Sequence, residues 1–71
     1  MSITHNLPTH TWEQLESALL CLEAATAAAR QIVRGHVKAE PVYLVSIRHT
    51  VETALAHLER ARHEIESEVK S

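Results

Sequence analysis

Six histidines and nine carboxylates, every one of the latter a glutamate, stand in a chain of 71 residues. The first question is whether any of them could hold a metal or move a proton. Zinc sites take three or four protein ligands, and a helix brings two together when they are spaced i and i+4. No His-x-x-x-His spacing occurs. Glu59 and His63 have it, but one carboxylate and one imidazole make half a site, and His49 lies four turns from His63. Nucleophilic chemistry is no better served. Cys21, the single cysteine, has no base or cation beside it, and the serines lack a His and an acid at usable spacing. Glu64, Glu66 and Glu68 form a run of the kind found on solvated helix ends. The expectation is a protein that is not an enzyme and carries no metal and no cofactor.

The cations are arranged more tellingly. Arg30, Arg34, Lys38 and Arg48 are opposed in their stretch only by Glu40, with His36 and His49 among them, while glutamate predominates on either side. Such a cluster suits a phosphate or an acidic surface. Arg30 and Arg34 also complement the C-terminus of a helix, but Arg48 lies beyond the reach of that explanation. A net charge of −2 speaks against general binding of nucleic acid.

Two helices must position these groups. Trp12, Leu15, Leu19, Leu22, Thr26, Ala29 and Val33 follow one another at alternating intervals of three and four, which is one stripe of a helix. Ala18, Ala25 and Ile32 widen it. Thr11-Trp12-Glu13-Gln14 has the composition of a capping box, and Gly35 that of a left-handed C-cap. After a short connection Pro41 suits the first turn of a second helix, whose stripe is Leu44, Ile47, Val51, Ala54, Leu58, Ala61 and Ile65. The reading is all-α: residues 1–10 an extended arm, residues 11–71 a single antiparallel αα-hairpin with helices over about 12–34 and 41–69. Leu19, Leu22, Val51 and Leu58 are the expected core.

Each stripe is wider than one seam needs, so the hairpin is expected to assemble into a helical-bundle homo-oligomer, with Trp12, Ala25, Ile32 and Leu55 at the contact. Leu20, Val42 and Val45, outside the stripes, are expected to be exposed. No run of about 18 apolar residues suggests a membrane span. The first ten residues lack the basic and apolar parts of a signal peptide, so a cytoplasmic location is expected.

The stretch Glu40-Pro41-Val42-Tyr43-Leu44, then Arg48-His49, then Leu58-Glu59-Arg60-Ala61, resembles the helical hairpin of phage anti-CBASS proteins that sequester cyclic nucleotides. The arm His5-Asn6-Leu7-Pro8-Thr9 ahead of a helix is similar too. The resemblance implies an oligomer of hairpins, acting in the host cytoplasm, that binds a cyclic di- or trinucleotide between protomers without chemistry. In the family an aromatic in the arm stacks on a base and a lysine on the first helix meets phosphate; in this chain a sponge would instead take its phosphate contacts from Arg34, Lys38 and Arg48, with His49 beside them, and its base stacking from Tyr43, Trp12 or His5. The chain departs from the family pattern at two points, for the arm holds no Tyr and the first helix no Lys. A second class of function stands beside it: a protein-interaction module, a small phage, plasmid or bacterial regulator that docks on and inhibits a larger protein target.

Overall fold

The computed structural model describes residues 7–70 and contains two helices, α1 (Thr9–Val33) and α2 (Pro41–Lys70), packed side by side as an antiparallel hairpin. The described residues form no strand. Neither helix is long and apolar enough to cross a membrane.

The ends of the helices follow from local chemistry, though not always the chemistry expected. The capping box does not form. α1 starts at Thr9, with Pro8 as its cap residue at φ −60° and ψ 153°, and no side chain caps it. The Pro8 carbonyl accepts hydrogen bonds from the Thr11 and Trp12 amides. Thr9 and His10 therefore belong to the helix and not to an arm. His5 lies outside the described residues. Thr11 is drawn into the interhelical seam, where its hydroxyl donates to Glu64 Oε1 at 2.9 Å. A cross-helix carboxylate is a better partner for that hydroxyl than a backbone amide one turn away, since burying it unpaired would cost about 1–3 kcal/mol.

The other end of α1 closes as the glycine predicts. Gly35 has φ +80°, its amide donates to the Ile32 carbonyl, and the His36 amide donates to the Gln31 carbonyl. These two bonds are the Schellman arrangement. The His36 ring adds a 3.0 Å hydrogen bond to Gln31 Oε1. α2 begins at Pro41, with the Glu40 carbonyl accepting from the Tyr43 and Leu44 amides.

The seam differs from the expected core. Its buried residues are Thr11, Ala18 and Ala25 on α1 and Ala54 and Ala61 on α2. They recur every seven residues, continuing to half-buried Ile32 and Ile47. Leu19 is 55% exposed, and Leu22 and Leu58 are 38% exposed; Val51 is half-buried. Two helices gain most contact when their closest points carry the smallest side chains, because backbones then approach and dispersion acts along the whole length. Alanine takes the seam, and leucine is left to one side.

Such a core is thin. Its fully buried side chains are four alanines and one threonine, while Leu15, Ile32, Ile47, Val51 and Ile65 are only half-buried, and a chain of this length is marginal on such a core.

Candidate functional site

The two sides of the seam are chemically unlike. On one side lie the polar cross-helix pairs. His57 Nδ1 donates to Gln14 Oε1 at 2.6 Å, and Glu64, which accepts from Thr11, also stands 3.5 Å from His10 Nε2. Cys21, Ser46, Thr50 and Thr53 occupy the same side of their helices by the 100° turn per residue. Thr50 and Thr53 spend their hydroxyls on the carbonyls of Ser46 and His49, one turn back. Among the described residues no buried side-chain polar atom lacks a partner.

On the other side both helices present large apolar groups. Trp12, Leu19 and Leu22 come from α1, and Leu44, Leu55 and Leu58 from α2; all six are exposed. Because the helices are antiparallel, these residues share one face. The face runs the length of the hairpin, but on α2 it is interrupted by Arg48 and Arg62, one heptad on either side of Leu55, and on α1 where small residues leave shallow depressions. One of about 360 Å³ is lined by Leu19, Leu22, Glu23, Thr26 and Arg30. The next, about 380 Å³, is lined by Thr26, Ala29, Arg30 and Val33. Singly exposed leucines are ordinary on a protein surface, whereas a contiguous face of this kind marks an interaction site.

Of the four residues expected at a contact between copies, Trp12 and Leu55 lie on this face. Ala25 is buried in the seam of its own hairpin and has almost no surface to offer a second chain. Ile32 is half-buried on the polar side, in the wall of a cavity. Leu20, Val42 and Val45 are exposed, but they point to neither face of the hairpin.

The expected ligand-binding residues collect at the loop end without converging on one point. Arg34 and Lys38 are in and beside the connection, and neither forms an ion pair among the described residues. Tyr43 lines an apolar cavity of about 220 Å³ with Ile32, Val37 and Ile47, edged by Gln31 and Ser46. Arg48 lies a full turn further along, 3.9 Å from Glu52. His49 is the next residue, so it leaves the helix about 100° away from Arg48.

Toward the C-terminal end of α2 the face that bears the leucines carries an ion-pair network. Arg62 holds Glu59 and Glu66, each at 2.9 Å. The Arg62 hydrogen bond keeps the Glu59 carboxyl below its ordinary value, and Glu59 in turn raises Arg62. Among the described residues no three His, Cys or Glu side chains come together as a metal site would require.

Sequence reasoning missed the two cross-helix pairs, Thr11 with Glu64 and Gln14 with His57. The signal was available in principle, since polar residues on the inner edges of an antiparallel hairpin must find partners at matching heights. No protein-family model, characterised protein or solved structure matches the chain.

Proposed function

We propose that this chain is a non-enzymatic interaction module: a helical hairpin that acts by burying its apolar face against protein. The observation that carries the reading is the face itself, with Leu19, Leu44 and Leu55 more than half exposed while only alanines and Thr11 fill the seam. A hairpin of this length whose fully buried side chains are all small gains from further cover. Replacement of the face tests it. Leu19→Gln with Leu58→Gln removes apolar surface while leaving the alanine seam untouched. The double variant should lose helicity and association together. Unchanged melting and unchanged association would show that the face does not serve as an interface.

A second reading, sequestration of a cyclic nucleotide, is favoured by a separate observation. The loop end carries Arg30, Arg34, Lys38 and Arg48, and Tyr43 lines an apolar cavity at that end, although none of the four cations is in its wall. A 220 Å³ cavity is smaller than most ligand sites, so it would hold at most one base, with phosphates held outside by the cations. Titration calorimetry at low salt with cyclic di- and trinucleotides decides the matter. Heat that is abolished by Tyr43→Ala supports sequestration, and absence of heat across the panel removes it.

A further inference from the structure

We infer that the cover of the apolar face is a second copy of this chain, docked with its loop at the opposite end, so that α1 packs on α1 and α2 on α2 in a four-helix bundle. The inference rests on the face being an interaction surface and adds its occupant and orientation. A face two helices wide, ~20 Å, and as long as α1, ~37 Å, covers about 700 Å² per copy, close to the ~800 Å² per partner of a standard stable interface. A hairpin that gains from cover is served best by a partner made in equal amount.

Charge chooses the orientation. Two-fold stacking of hairpins allows two arrangements, loops at the same end or at opposite ends. In both, every neighbouring pair of helices is antiparallel, so the helix dipoles do not discriminate. The side chains along the rims of the face do. Thr11 faces Glu64, and Ala28 and Ile47 line one cavity, so residues of α1 and α2 at the same height have numbers adding to about 75. With loops at the same end, α1 of one copy lies on α2 of the other at these heights. Glu16 then meets Glu59, Glu23 meets Glu52, and Arg30 comes within a turn of Arg48. The contacts at equal height are between like charges, and Arg62, within a turn of Glu16, offsets them only in part.

With loops at opposite ends the face is turned about its middle, near Leu22 to Glu23. Arg30 then meets Glu16 of the second copy, twice over by symmetry, and Arg48 comes within a turn of Glu59. Glu23 and Glu52, which share one height, each meet their own kind at the two-fold axis. Neither Arg30 nor Glu16 has an ion pair within its own hairpin among the described residues. The depressions beside Thr26 and Ala29 lie on this face as recesses for large side chains of the second copy.

The test is a distance between loops. Full-length protein carrying Cys21→Ser and Lys38→Cys is spin-labelled at the loop and measured by double electron–electron resonance, with sedimentation equilibrium on the unlabelled wild type. The expected result is a dimer whose labels are ~40 Å or more apart, the length of the bundle. A dimer with labels within ~20 Å overturns the orientation while leaving the self-association intact. A folded wild-type monomer overturns the second copy as occupant, and the interaction reading then stands or falls on the Leu19→Gln/Leu58→Gln variant. A charge exchange supplies the independent check. Arg30→Glu and Glu16→Arg should each weaken the dimer by about three- to tenfold, and the double exchange should restore it. Failure of the double exchange to restore would overturn the Arg30–Glu16 register.

Discussion

The two long faces of the hairpin are cut from the same pair of helices, yet they solve opposite problems. The polar face is complete within one chain: the Thr11 hydroxyl has Glu64, Gln14 has His57, and Thr50 and Thr53 are bonded to their own backbones. The apolar face is incomplete, with Trp12, Leu19, Leu44 and Leu55 presented to whatever covers them. The difference lies in where the seam falls. Alanines at seven-residue intervals draw the helices together along Ala18, Ala25, Ala54 and Ala61, and the leucines of both stripes are left to one flank. A single row of small residues thereby turns one amphipathic hairpin into a half-bundle with a finished side and an open side.

Breaking the seam should have the largest effect. Ala54 is fully buried, and Ala54→Leu would push the helices apart along the line on which both faces depend. A loss of about 3 kcal/mol, at the upper end for overpacked sites, is expected, seen by thermal denaturation followed by circular dichroism. Next comes the polar face. Thr11→Val keeps the shape and removes the donor to Glu64; because that carboxylate is 28% exposed, water takes over part of the bond and the loss should be about 1 kcal/mol. A double-mutant cycle with Glu64→Gln would isolate the pair.

Gly35→Ala serves as a comparison remote from both faces. A Cβ there meets nothing within 4 Å, so the penalty comes only from holding alanine at φ +80°. It should be about 1 kcal/mol, with no change in assembly.

The smallest effect belongs to the exposed rim. Glu59 is held below the ordinary carboxylate range first by its hydrogen bond from Arg62. A depressed folded-state value means that the pair contributes its full stabilisation above the unfolded carboxylate's titration. That contribution is lost as pH falls through the folded value. Arg62→Ala should return Glu59 to the ordinary range in an NMR titration, while the melting temperature near neutral pH hardly moves.

What could be read from the sequence was local. The two helices, the loop between Gly35 and Pro41, and the glycine cap depend on residues within a turn of one another, and each is present, although α1 starts three residues before the expected point and without the expected cap. The facing of the helices was not local. Leu19, Leu22 and Leu58 were expected inside because burial of leucine removes more apolar area than burial of alanine. Two isolated helices cannot surround a leucine, however, and closest approach favours Ala18 and Ala54 instead. The same limit applies at the candidate site. Arg34, Lys38 and Tyr43 stand at the loop end of the hairpin, as their places in the chain require, but the directions in which Arg48 and His49 leave α2 depend on the seam. Thr11 read as a cap because its spacing to Gln14 fits one; only the height of Glu64 on the other helix reveals its use.

Self-association through the open face is tested most directly by the concentration dependence of folding. Wild-type protein and Leu55→Glu should be melted over a roughly hundredfold range of concentration, with mass followed by sedimentation equilibrium. Leu55 is 57% exposed in the single hairpin, so the substitution leaves the seam intact and places a charge only in the covered face. The account predicts a wild-type melting temperature that climbs with concentration, and a Leu55→Glu chain that is monomeric, less helical and insensitive to concentration. A wild-type chain that is a fully helical monomer, melting at one temperature across the whole range, would contradict it.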